Sequence, residues 1–175
     1  MIRRMHASDK NKILEILHAT DMFTGKELQV ASEQIDIYLN NANQTDYSLV
    51  VIENDSADVI GFMSYGQVPL TDGAYDLYWI AVSPKAQGCG YGKELVLWLE
   101  KQIIRDSGRM ILIETSSQPK YESTRAFYRA LDYKEAFRIP DYYKNGDDLI
   151  SYIKFLTPKN SVQDTGLATL LKTEV

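Results

Sequence analysis

The sequence predicts one domain of the α/β (α+β) class, a mixed but mostly antiparallel sheet of about six or seven strands flanked by about four helices. Three observations carry this. Two amphipathic helical stretches open the chain, paired apolar runs with turn residues between them follow, and a strand runs through Pro84 and a glycine loop straight into a helix. With 175 residues, 45% hydrophobic and 25% charged, the chain can bury one core.

Taken in order, Ile2–Met5 is a short strand and Ser8 a candidate N-cap for a helix carrying Ile13, Leu14, Ile16 and Leu17. A second helix spans about Gly25 to Leu39, with Leu28, Val30, Ala31, Ile35 and Tyr38 on its apolar stripe. Tyr47–Ile52 and Val59–Val68 form a hairpin around Asn54-Asp55-Ser56. After Asp72-Gly73, Tyr75–Ser83 alternates Asp76, Tyr78, Ile80 and Val82 on one face with Leu77, Trp79 and Ala81 on the other. Both faces are largely apolar, so this strand is central. Leu95, Val96, Leu99 and Ile103 then recur at helical spacing until Gly108 stops the helix. Met110–Thr115 is a strand and Tyr121–Leu131 a short helix. Tyr133–Tyr143 and Leu149–Leu156 close the domain as a hairpin turned at Asn145-Gly146. The domain thus covers residues 1–157, and 158–175 is a tail in which Leu167–Leu171 suggests a short helix.

Composition removes several functions. The net charge of −5, from 19 Lys+Arg against 24 Asp+Glu, argues against a nucleic-acid binder. One cysteine, Cys89, and two histidines, His6 and His18, leave no disulfide and no material for a metal site. No apolar run reaches the roughly 20 residues of a membrane span, and His6–Lys12 stands where a signal peptide needs an apolar segment. The expected setting is therefore the cytoplasm, without nucleic acid, membrane or metal. Tyrosine is abundant, with 12 copies.

The chemistry concentrates in Lys85-Ala-Gln-Gly-Cys-Gly-Tyr-Gly-Lys93. Glycines let a backbone approach a ligand, and free amides at a helix start attract an anion. A dinucleotide G-x-G-x-x-G pattern fails, because Lys93 or Leu95 stands at its third glycine. A P-loop fails too, with Gln87 and Glu94 at required positions. A glycine-rich turn without a ligand is the plain alternative.

Gln87-x-x-Gly90-x-Gly92, preceded by Ile80-Ala81-Val82-Ser83-Pro84, resembles the signature of the GNAT superfamily of N-acetyltransferases. Ala126–Tyr133 is similar to that family's second landmark, a Tyr followed by Leu-Gly-Phe. In element order the resemblance covers Ile2 to Leu156. It implies acetyl-CoA as acyl donor, held by Gln87, Gly88, Cys89, Gly90, Tyr91, Gly92 and Lys93, with Ile80, Ala81 and Val82 offering amides to the thioester. It implies direct attack by a primary amine in a ternary complex, with Tyr128 as the acid that protonates the departing thiolate. Two carboxylates stand as candidate base, Glu114 and Asp76, by likeness to different branches of the family. Tyr142 and Tyr143, on an acidic rim with Asp141, Asp147 and Asp148, resemble a hairpin that covers the acceptor. That acceptor is a small-molecule amine or a peptide N-terminus, and the protein is a monomer or homodimer. Two departures stand out: Asp132 where the family has Gly, and Tyr121 where many members place an Asn against the cofactor arm. A non-catalytic acyl-CoA binding module is the alternative within this reading.

Overall fold

A computed structural model describes residues 1–156 of the chain. The strands are β1 (Ile2–Arg4), β2 (Ser48–Glu53), β3 (Val59–Gln67), β4 (Ala74–Val82), β5 (Met110–Ser116), β6 (Lys134–Lys144) and β7 (Asp147–Phe155). The helices are α1 (Lys10–Ala19), α2 (Gly25–Asn40), α3 (Tyr91–Arg105) and α4 (Glu122–Ala130). One sheet results, in the order β1-β2-β3-β4-β5-β7-β6. Every neighbouring pair is antiparallel except β4 and β5, which run parallel. The element order expected from sequence is the one observed. The tail segment Leu167–Leu171 lies outside the described residues.

Helices cover both faces because the alternation of the strands leaves both faces apolar. Leu49, Val51, Phe62 and Ala81 meet Ile13, Ile16 and Leu17 of α1 and Ala31 and Ile35 of α2. Val50, Ile52, Met63, Leu77 and Ile113 meet Leu95, Val96, Leu99 and Ile103 of α3 and Tyr128 of α4. Each such fully buried aliphatic side chain contributes about 1.5–3 kcal/mol. No helix among the described residues is long and apolar enough to cross a membrane.

Three local expectations are corrected. Ser8 does not cap α1. A 3₁₀ turn over Ala7–Asp9 comes first, and the Asp9 carboxylate accepts the His6 N–H at 2.8 Å while it pairs with Arg3. At the end of α3, Ser107 takes the left-handed conformation (φ 62°) and Gly108 does not. Gly108 is glycine for space, since a Cβ there would lie 2.7 Å from Tyr75 Cε2 and against Ile103. The third correction lies in β4. Ser64 pairs with Trp79 but Tyr65 pairs with Leu77, so Tyr78 is a bulge with no partner in β3. The bulge shifts the alternation by one. Asp76 therefore lies on the face of Trp79 and Ala81, and Leu77 on that of Ile80 and Val82.

β4 and β5 pair only from Ala74↔Met110 to Leu77↔Ile113. Beyond that, β4 follows β3 to Val82 and β5 follows β7 to Ser116. The sheet opens between them.

Candidate active site

The glycine loop forms one end of this opening. Pro84–Ala86 makes a 3₁₀ turn, and the Gln87 side-chain amide donates to the Val82 carbonyl at 3.1 Å, tying the loop to the strand end. Gly88 (φ 76°) and Gly90 (φ 90°) occupy the left-handed region, which costs other L-residues about 1–2 kcal/mol. A Cβ on either would meet nothing within 4 Å, so that side of the loop is open. The first amide of α3 bonded within the chain is that of Glu94, donating to the Gly90 carbonyl at 2.9 Å. Among the described residues the amides of Gly88, Cys89, Gly90, Tyr91, Gly92 and Lys93 have no acceptor in the protein. They form an anion cradle, with the helix dipole behind it. Lys85 and Lys93 are exposed beside it, and Tyr91 packs on the core. Cys89 is an exposed free thiol whose Sγ lies 3.7 Å from the Gln87 carbonyl. Gly92 faces α4, where a Cβ would make ordinary contact with the Phe127 ring at 3.6 Å.

A narrow cleft of about 190 Å³, which the loop borders through Gln87, enters the opened sheet between Ile80, Ala81 and Val82 on one side and Glu114 and Thr115 on the other. The Ser83 amide bonds to Ile60 of β3 at 2.7 Å. By the pleat of an antiparallel ladder, the backbone groups of Ile80 and Val82 then face the gap, and those of Ala81 face β3. Tyr128 lines the floor. It is 3% exposed, and burial pushes its phenol above the ordinary range. Its hydroxyl therefore stays protonated near neutral pH, and among the described residues it makes no hydrogen bond.

A wider cleft of about 970 Å³ joins the first, and Tyr78, Trp79, Glu114, Thr115 and Tyr121 line both. Asp76 lines only the wider one. Burial and the neighbouring Glu114 carboxylate raise the Asp76 pKa. Tyr143 is in the wall of this cleft, its phenol pushed up to about 12 by burial and by Glu114. Tyr142 stacks edge-on against Tyr143 at 5.0 Å but is 57% exposed and outside the cleft lining. The structure thus gathers Tyr128, Glu114, Asp76, Tyr143 and the strand amides, and leaves Tyr142 apart.

Several lining residues have no local sequence signal. Phe23, from the α1–α2 connection, stacks edge-on against Trp79 at 5.3 Å. Tyr121, the departure from the family Asn, donates its hydroxyl to the Met22 carbonyl at 3.0 Å, and Lys120 Nζ donates to the same oxygen at 2.6 Å. The two bonds fasten the α1–α2 connection over the junction. Arg125, 7% exposed, donates to the Ser116 and Gln118 carbonyls at 2.6 and 3.0 Å and so shapes the turn after β5. That turn holds the β6–β7 turn, with the Ser117 amide on the Asp148 carbonyl and the Gln118 side chain on the Gly146 carbonyl. One signal was available: Thr24-x-x-Glu27 is a capping box, each side chain bonded to the other's amide, which fixes where α2 starts beside the cleft. The other departure, Asp132, takes φ 66° directly after α4, the conformation a glycine would have supplied.

Known proteins share this fold. The family model described as "Acetyltransferase (GNAT) domain" matches residues 45–135. A protein from Desulfovibrio desulfuricans assigned to the GNAT family superposes with a TM-score of 0.83 at 34% identity, covering 90% of this chain and 99% of that one. The S-(2-succino)cysteine N-acetyltransferase of Bacillus subtilis (strain 168) is 26% identical over 117 residues, 65% of this chain and 71% of that protein. The fold is shared with an aminoglycoside 6'-N-acetyltransferase from Enterococcus faecium (TM-score 0.69, 18% identity, 91% and 98% coverage). It is shared as well with a ribosomal-protein-alanine N-acetyltransferase from Brucella melitensis (TM-score 0.71, 21% identity, 89% and 99% coverage). The chain belongs to the GNAT superfamily of N-acetyltransferases.

Proposed function

We propose that the protein transfers an acetyl group from acetyl-CoA to a primary amine by direct attack in a ternary complex. The main support is the junction of the two clefts. One is bordered by Gln87, next to an anion cradle of unpaired amides suited to a pyrophosphate, the other is walled by carboxylates and aromatics, and Glu114 borders both. Gly88 and Gly90, with open space where a Cβ would stand, fit a phosphate group lying on the backbone.

The residues divide the chemistry as follows. Glu114 takes a proton from the acceptor ammonium or amine, directly or through one water, since it alone of the two carboxylates reaches the junction. Asp76, its pKa raised by burial and by Glu114, lies beside it in the wider cleft. The amides of Ile80 and Val82 hold the thioester oxygen as the amine nitrogen bonds to the carbonyl carbon. Tyr128 donates its hydroxyl proton to the sulfur as the carbon–sulfur bond breaks, and is reprotonated from water. One amide bond forms, one thioester bond breaks, and Cys89 has no part in it. The relatives named as N-acetyltransferases agree with a nitrogen acceptor.

The test is thiol release from acetyl-CoA across a panel of amines, peptides with free N-termini included. Release that requires an amine supports the reading. Acetyl-CoA binding by calorimetry with no release from any amine refutes it and leaves a non-catalytic acyl-CoA binding module.

A further inference from the structure

The wider cleft holds more negative charge than one reacting amine can answer. Glu27, Asp76, Glu114 and Asp147 line it, against Lys120 and Lys144. Lys120 is already turned onto the Met22 carbonyl and over the Tyr121 ring. Among the described residues, nine ion pairs neutralise carboxylates elsewhere, and none includes any of these four. Asp147 is the telling case. It is 6% exposed and lines the cleft, and among the described residues its side chain accepts one hydrogen bond, from the Ser116 hydroxyl to Oδ1. A carboxylate buried to that degree without a cation is costly, and a bound cation would offset the cost.

Position separates the four into two groups. Glu114 borders both clefts and Asp76 lies beside it, at the point of transfer. Glu27, at the start of α2, and Asp147, at the start of β7, line only the wider cleft and flank Tyr121, whose phenol both push upward after burial. The reacting nitrogen must lose its charge to become a nucleophile, so it leaves Asp147 without a cation and Glu27 with only the Thr24 amide at the start of α2. The cleft volume of about 970 Å³ is also at the top of the roughly 300–1,000 Å³ of drug-sized ligand pockets, far beyond one small monoamine. Tyr121 and Tyr143 add ring faces that attract ammonium groups.

We infer that the acceptor is a multiply charged amine, and that Glu27 and Asp147 form a subsite for a second ammonium group that does not react. The inference rests on the amine-acetylation reading and names the acceptor class for it. Linear polyamines and multiply aminated sugars share this chemistry.

The test compares hexylamine with hexamethylenediamine, a matched pair differing by one distal ammonium. Spermidine, kanamycin and a tripeptide with a free N-terminus complete the series. The diamine is expected to show kcat/KM about tenfold or more above hexylamine, a difference of about 1.4 kcal/mol, and the advantage should shrink as salt rises. Glu27→Gln and Asp147→Asn should lower kcat/KM for the diamine more than for hexylamine, with acetyl-CoA binding by calorimetry as the check on folding. Spermidine above kanamycin assigns a linear acceptor, and the reverse assigns an amino sugar. Equal use of hexylamine and the diamine, preference for the tripeptide, or equal effects of the variants on both amines overturns the inference. Absence of thiol release from every amine contradicts the enzymatic reading instead. In that case, calorimetric titration of hexamethylenediamine into the wild type and Asp147→Asn still decides the subsite, supported by binding that the variant weakens and refuted by none.

Discussion

Replacing Tyr128 by Phe removes one oxygen and keeps the ring. The ring is packed on Phe127, Tyr133 and Tyr152, with centroids 5.3, 5.9 and 6.3 Å away. The hydroxyl has no hydrogen-bond partner among the described residues, so the fold loses none. The stability change should therefore stay within about 1 kcal/mol. The chemical loss should be far larger. A positioned acid contributes about 10²–10⁴-fold, so kcat for amine-dependent thiol release should fall by about 3–5 kcal/mol of barrier. KM for acetyl-CoA should change little. Because burial raises the phenol above its ordinary value, the acid remains protonated, and wild-type kcat should show no alkaline loss from this group up to about pH 9. Thiol release at saturating acetyl-CoA, with thermal melts of both proteins, is the assay. A variant that melts like the wild type yet keeps kcat within about threefold refutes the role, as does a loss that merely follows a fall in melting temperature.

Asp76→Asn and Glu114→Gln should act differently. Burial and Glu114 raise the Asp76 pKa in the fold, so its stabilising contribution is present below the ordinary Asp range and lost as pH rises through the folded value. Asp76→Asn should therefore raise the melting temperature at pH 7, with the gain vanishing towards about pH 4, whereas Glu114→Gln should lower kcat by about 10²-fold or more. Gly90→Glu should abolish acetyl-CoA binding in calorimetry at a folding cost of about 1–2 kcal/mol. Gly108→Ala should instead destabilise by about 1–3 kcal/mol through the clash with Tyr75 and Ile103, leaving acetyl-CoA affinity near that of the wild type. Arg125→Met leaves the Ser116 and Gln118 carbonyls without their charged donor, which costs about 1.5–3 kcal/mol, and should raise acceptor KM more than acetyl-CoA KM.

What the sequence discloses and what it hides follow the range of the interactions. The anion cradle depends on glycines at fixed spacing between a strand end and a helix start, and Gly88, Gly90 and the amides to Lys93 are arranged by those few residues alone. Tyr128 is legible for the same reason, within one short helix and its Leu131-Asp132-Tyr133 exit. The strand faces of β4 are not, because the bulge at Tyr78 is a mismatch of count against β3 and exists only in the pair. An unbroken alternation would have put Asp76 on the side of Ile80 and Val82. The fastening of Met22 by Lys120 and Tyr121 spans 98 and 99 residues, and Asp147 becomes a buried carboxylate only when the turn after β5 folds against it. Its place in an acidic turn was visible, but not its burial. The same limit explains Tyr142 and Tyr143: adjacent on an edge strand, they project to opposite sides, and only Tyr143 reaches the cleft.

Direct transfer from thioester to amine is best tested by mass spectrometry of products and enzyme in a single turnover, with released thiol counted in the same sample. One acetylated amine should accompany each thiol, and the protein should remain unmodified. Thiol released without acetylated amine, or an acetyl group found on the enzyme at Cys89 or elsewhere, would contradict the account.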